Sequence, residues 1–371
     1  MSDVAASSPM VTPLNYGETT PERQRLGRMI TWGATALLAA IALYQTLFVA
    51  GYISSGFASW RPVLYAYGAW GIALGFAQVV AHGEQGKRAL FVLPAILFTV
   101  AMVIFPTLFG FYIALTDWNL ASQDGMKFNG LDNFWQMLRD PFFLNALGNM
   151  VFYVAMVLVE YVIAFGLAML LNAEIRAQKF FRVAFLMPLM LSPVAVSWMV
   201  GKSMLETRFG PLANFAKWVG WENPAFFQNP WMAKMTIQMM DAWTFIPFIM
   251  IMLLAGLQAL PKDVIEASQV DGANKWQQFW GVIFPLMIPV SITAIVLRII
   301  FKLKIADIII NVTSGGPGGA TDSVTSFIFR EYRDRSNVGY GTMMAMTYLV
   351  LIIVFITLLL KFVDRWRRSI T

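Results

Sequence analysis

Long, nearly unbroken apolar runs dominate the chain, separated by shorter polar stretches. The hydrocarbon core of a bilayer is about 30 Å thick, so a helix that crosses it needs roughly 20 mostly apolar residues. Eight stretches meet or approach that length: residues 29–50, 62–81, 90–115, 146–171, 183–202, 234–259, 283–304 and 340–361. The pattern predicts an all-α fold, a polytopic membrane helix bundle of about eight transmembrane helices. No small-residue cleavage site follows the first run, which reads as an anchor and not as a removed signal peptide. Pro94, Pro106, Pro188, Pro193, Pro247, Pro285 and Pro289 lie in or beside the runs. They predict kinked helices whose freed carbonyls are satisfied by neighbours.

The polar stretches give an orientation. With the N-terminus inside, the inside stretches carry 13 Lys/Arg in 80 positions and the outside stretches 8 in 107. The denser side holds both termini, and the positive-inside rule assigns it to the cytoplasm. The expected location is therefore the inner membrane, multi-pass, with cytoplasmic N- and C-termini. The expected organisation is a cytoplasmic tail over 1–28, two N-terminal transmembrane helices over 29–82, and six further transmembrane helices over 83–371.

Composition excludes the soluble alternatives. The 371 residues are 58% hydrophobic and 13% charged, with a mean hydropathy of +0.62. Soluble domains carry about 25% charged residues. The net charge of +6 is dispersed as short topology signals, without the clustered basic stripe that nucleic acid requires. There is no cysteine, hence no thiolate nucleophile or sulfur metal site, and His82 is the single histidine. No cofactor or metal site is expected in this chain.

Two glycine-rich motifs fail as nucleotide loops. Gly201-Lys202-Ser203 has Val196 where a phosphate-binding loop needs its first glycine, and a membrane run precedes it instead of a strand. Gly315-Gly316-Pro317-Gly318-Gly319 does not fit G-x-G-x-x-G. The chain is not expected to be an ATPase or any other enzyme. Gly68, Gly71 and Gly75 form a small-residue face in the second run, read as a helix-packing surface.

The most informative stretch joins the sixth and seventh runs, from Gly256 through Glu266-Ala267-Ser268, Asp271-Gly272-Ala273 and on to Phe284-Pro285. Two short helices separated by a turn at Asp271-Gly272 are the physical expectation, glycine permitting a left-handed turn and Pro261 suiting the first helical turn. This stretch resembles the "EAA" loop of ABC importer permeases, E-A-A-x-x-D-G-A followed by I-x-L-P. Glu266, Ala267, Asp271, Gly272, Ala273 and Pro285 match; Ser268, Val282 and Phe284 depart from it. Phe91 to Pro94, Thr116 to Asn119, Gly130 to Phe134, Arg182 to Pro188 and Thr313 to Gly319 are also similar to the carbohydrate-uptake branch. The resemblance covers about residues 88–361.

That resemblance implies a type I ABC importer permease fold, with six core spans. It implies a second permease subunit, two ABC ATPase subunits that bind ATP and Mg, an extracytoplasmic solute-binding protein and a sugar-like solute. Glu266, Ala267, Ser268, Asp271, Gly272 and Ala273 would form the coupling loop that docks on an ATPase. Asp241, Thr244, Phe245, Phe248, Phe301 and Lys304 would line the solute cavity. The family's D-A-F-K-V-F-D pattern is replaced here by Phe301-Lys302-Leu303-Lys304-Ile305-Ala306-Asp307, so the solute's identity does not carry over. From the residues themselves, Asp241, Arg298, Lys302, Lys304 and Asp307 are charges in or at the end of spans, where an Asp–Lys or Asp–Arg pair or a snorkelling lysine is the structural alternative. Glu160 is expected as a partner for one of these cations. Lys302 and Lys304 are about 200° apart on a helix, so only Lys304 is expected at the cavity. Intramembrane carboxylates also suit an ion-coupled secondary transporter, though the internal repeats common in such folds are not evident.

Overall fold

The computed structural model describes residues 20–49, 51–123, 125–173 and 176–370; the first 19 residues of the expected tail lie outside the described residues. Every element in it is helical apart from two isolated bridges, Thr116–Phe128 and Asn119–Asn337. The chain divides into two compact units, residues 1–109 and 110–371.

In the first unit, α1 (Pro21–Val49) and α2 (Arg61–His82) form a hairpin, and α3 (Glu84–Ala114) begins in this unit. The first helix thus starts eight residues before its apolar run, with Glu22 favourably placed in its first turn. The Gln45 side chain closes the hairpin by pairing with both the N–H and the C=O of Phe57. The α2 glycines act as expected at two positions. A Cβ on Gly71 would collide with Leu97, and one on Gly75 would sit 2.6 Å from Leu90, whereas Gly68 faces open space. Tyr67 adds a 2.7 Å hydrogen bond to the carbonyl of Leu97.

The second unit contains the remaining spans. In chain order its elements are α4 (Asp132–Arg139), α5 (Pro141–Asn172), α6 (Gln178–Met190), α7 (Pro193–Met204), α8 (Pro211–Trp218), α9 (Pro230–Gln258), α10 (Lys262–Val270), α11 (Lys275–Lys302), α12 (Asp307–Val312), α13 (Val324–Arg333) and α14 (Val338–Ile370). Seven helices among the described residues are long and apolar enough to cross a membrane. The expected span over 183–202 is not continuous: α6 and α7 meet at 96°. Leu191 and Ser192 are extended there, Pro193 opens α7, and Ser192 Oγ accepts from the Ala195 N–H. A proline at that position cannot donate back into α6, so the helix ends and restarts.

α5, α9 and α11 pack together as the centre of this unit. They bury two apolar clusters. One includes Tyr153, Val157, Met240, Ile299 and Ile309; the other includes Ala164, Leu171, Ile249, Leu253 and Met287. The seam between the clusters carries the site.

Candidate functional site

Three packed helices bring four charges to the seam. Glu160 comes from α5, Asp241 from α9, and Arg298 and Lys302 from successive turns of α11. Arg298 donates from Nε to Glu160 Oε2 at 2.6 Å and also binds Asp241. Lys302 donates to Glu160 Oε1 and Gln238 Oε1, each at 2.9 Å, and to Asp241. Gln238 closes the ring by donating to Glu160 Oε1 at 2.8 Å. Two carboxylates balance two cations, and Arg298 and Lys302 are both 0% exposed. An isolated charge in this medium is very costly, so the cluster persists because each member is paired and hydrogen-bonded.

Two of the expected cavity residues are buried within this chain. Asp241 is only 3% exposed and its carboxylate is committed to Arg298 and Lys302. Thr244 is buried as well, its hydroxyl bonded to the Met240 carbonyl one turn back. Lys302 is not a snorkelling side chain; it is an ion-pair member, as is Glu160. Their i, i+4 spacing put Arg298 and Lys302 on one helix face, a signal legible in the sequence. Gln238 carried no such signal, because an uncharged amide in a long helix stands out only once its neighbours are known.

In front of the cluster lies an aromatic surface. Phe245 and Phe248 on α9 meet Phe301 on α11, with ring centroids 6.2 Å and 5.4 Å from Phe301. Phe301 is 43% exposed, and Phe245 and Phe248 are half-buried. Lys304 stands just beyond the end of α11 and is exposed, its N–H bonded to the Phe301 carbonyl. The structure therefore separates the two lysines, one inward and one outward.

The stretch between α9 and α11 forms the second feature. Pro261 is the N-cap of α10 and not a residue of its first turn. Gly272 has φ +80°, and α11 opens with a capping box in which Asn274 Oδ1 accepts from Gln277 N while Gln277 Oε1 accepts from Asn274 N. Asn-x-x-Gln is the sequence signature of that cap. Glu266, Ala267, Asp271 and Gly272 are exposed, Ala273 is half-buried, and Ser268 is buried at the joint. Val270, 88% exposed, and Trp276, 70% exposed, leave apolar surface uncovered beside the acidic residues.

Outside the spans, the 313–326 segment is tied to α5. Asn145 and Asn149 donate to the Gly319 carbonyl, Asn149 also to that of Asp322, and Tyr153 to that of Thr321. The Asp322 carboxylate accepts from Ser326 and Arg330.

A helical bundle with a broken span, an exposed helix–turn–helix between two spans and a loop stitched to the bundle is the architecture of an importer permease. The comparisons agree. The chain belongs to the family described as binding-protein-dependent transport system inner membrane component, whose model matches residues 141–369. The trehalose/maltose transport system permease protein of Thermococcus litoralis is 30% identical over 289 residues, covering 78% of this chain and 97% of that one. The sulfoquinovosyl glycerol transport system permease protein of Agrobacterium fabrum is 27% identical over 271 residues, covering 72% and 87%. In fold, the chain is similar to one in the crystal structure of a bacterial alginate ABC transporter with an alginate pentasaccharide-bound periplasmic protein, at a TM-score of 0.63, 20% identity, and coverage of 72% and 91%. The chain is thus a multi-pass inner-membrane permease subunit of a binding-protein-dependent ABC importer and is not itself catalytic. Membership in that family removes the ion-coupled secondary transporter as a reading.

Proposed function

We propose that this permease translocates a sugar, polyol or sugar derivative, passing it across the face formed by Phe245, Phe248 and Phe301. The observation that carries this reading is that aromatic face, with Phe301 43% exposed, backed by a cluster of two carboxylates and two cations. Flat rings suit the C–H faces of a polyhydroxylated ligand, with a few polar groups fixing its orientation. Lys304, exposed and three residues after Phe301, is the cation this reading assigns to a hydroxyl or an anionic substituent of the solute. The relatives named for trehalose/maltose and sulfoquinovosyl glycerol transport are in keeping with both kinds of solute.

In this reading a second permease completes the pathway, two ATPase subunits bind ATP and Mg, and an extracytoplasmic binding protein delivers the solute. Both termini and the Glu266–Ala273 loop lie on the cytoplasmic side, where the loop docks on an ATPase. Closure of the ATPases then rocks the bundle as a rigid body. Residues 29–82 add two spans to a six-helix transport core over 83–371.

The test is uptake into proteoliposomes containing this chain, its second permease, the ATPases and the binding protein, assayed against radiolabelled neutral sugars, anionic sugars and amino acids. The reading expects ATP-dependent uptake of a sugar and its loss in Lys304→Ala, with basal ATP hydrolysis retained. Uptake of amino acids in place of sugars, or normal sugar uptake by Lys304→Ala, counts against the assignment of this face.

A further inference from the structure

We infer that Arg298 is a positioning residue for solute recognition: its buried guanidinium, clamped by Glu160 and Asp241, holds the Phe245 ring and through it the rest of the aromatic face. The inference rests on the solute wall proposed above and adds a specificity-determining residue that touches no solute.

The geometry runs from the cluster outward. The guanidinium carbon of Arg298 lies 4.4 Å from the centroid of the Phe245 ring, within the range of a cation–π contact. A desolvated guanidinium is flat as well as charged, so it supports a ring in a way a lysine ammonium does not. Phe245 in turn lies against Phe301, and Phe301 meets Phe248 nearly edge-on, at 70°. Each ring therefore has a neighbour, and the innermost one rests on Arg298.

The guanidinium itself cannot swing. Arg298 is 0% exposed and is held at Nε by Glu160 and through one terminal nitrogen, Nη2, by both Glu160 and Asp241. The carboxylates come from α5 and α9, so two helices fix the plane on which a third residue's ring rests. Asp241 lies one turn before Phe245 on α9, which makes the support local at both ends. Lys302 faces the same carboxylates, and its nearest ring is Tyr153, 6.0 Å away; it balances charge without supporting the wall.

Arg298→Lys is the informative substitution because it keeps two positive charges opposite two negative ones and removes the flat face. The decisive measurement places 4-trifluoromethylphenylalanine at position 245, and separately at 248, in the purified importer complex in lipid nanodiscs, and reads the 19F spectrum with and without Arg298→Lys. The inference expects a shifted and narrowed resonance at 245, from a ring released into faster motion, with a smaller change at 248. The functional companion is uptake of radiolabelled trehalose, maltose and sn-glycerol 3-phosphate by reconstituted complexes. Arg298→Lys and Phe245→Ala should each raise KM about tenfold or more with Vmax held within about twofold, and the double variant should be no worse than Phe245→Ala alone. An unchanged resonance at 245, or KM effects that multiply in the double variant, would overturn the inference while leaving the wall in place. If Phe245→Ala and Phe248→Ala both leave KM unchanged, the wall itself is wrong, and that result is distinct from failure of Arg298 alone.

Discussion

Ser268 and Gln278, ten residues apart across the turn at Gly272, are joined by a 2.9 Å hydrogen bond from the Gln278 amide to Ser268 Oγ. Ser268 Oγ donates in turn to the Ile265 carbonyl at 2.6 Å, and the Gln278 amide donates to that carbonyl as well. The serine that replaces the family's second alanine is therefore the clasp between α10 and the start of α11. A net hydrogen bond of this kind contributes about 1 kcal/mol. Ser268→Ala should loosen the loop without affecting insertion, lowering solute moved per ATP hydrolysed by about twofold to fivefold. An unchanged transport-to-hydrolysis ratio would show that the clasp carries no force.

Gly272→Val acts on the same loop by a different route. Open space surrounds the position, so the cost is conformational, arising from a β-branched residue at φ +80°. Together with Glu266→Ala, which removes an exposed carboxylate, it should reduce co-purification of the ATPase and uptake tenfold or more, with normal membrane levels. Normal ATPase recovery and normal uptake in both variants would remove this loop from the coupling role.

The helical bundle was legible because apolar run length is a local signal, and the turn between α10 and α11 because Gly272 announces it. The break at Leu191-Ser192 was not, since hydropathy averages over a bend and Pro188 and Pro193 stand on both sides of it. The site was half legible. Phe301 and Lys304 are exposed, and Phe245 and Phe248 are half-buried beside Phe301. Asp241 turns inward because Arg298 and Lys302, more than 50 residues away in the chain, supply partners that no local pattern encodes, whereas Thr244 is buried with its hydroxyl on the Met240 carbonyl one turn back.

The neutral cluster makes a strong prediction of its own. Lys302→Met leaves a carboxylate uncompensated, a loss of roughly 3–5 kcal/mol for a buried pair. Yield and thermal stability of the complex should fall sharply. Adding Glu160→Gln, which restores neutrality, should recover a substantial part. If the double variant is no more stable than Lys302→Met alone, the cluster is not held together by charge balance. By the same reasoning, Asp241→Ala should impair assembly before it impairs uptake.

Asp322, outside the spans, gives a pH dependence. Burial pushes its carboxyl up to about 6 from an ordinary value of 3.8, against the opposing pull of Arg330 and Ser326. An unfolded chain therefore releases this proton first, and between the two values the folded state binds more protons. Stability from this group is greatest below about pH 4, falls as pH rises, and is fully lost above about pH 6. The difference in melting temperature between the native complex and Asp322→Asn should shrink or change sign from pH 4.5 to 7. A constant difference would contradict the buried titration.

Phe301 is the most exposed ring of the aromatic face and the most direct place to measure. ATP-driven uptake of the accepted sugar should be compared between the native importer and Phe301→Ala in proteoliposomes, with ATP hydrolysis followed in the same vesicles. The predicted result is a KM raised tenfold or more, an unaltered basal hydrolysis rate and full recovery of the assembled complex. A Phe301→Ala importer that takes up the sugar with native KM and Vmax would contradict the claim that solute passes along this wall.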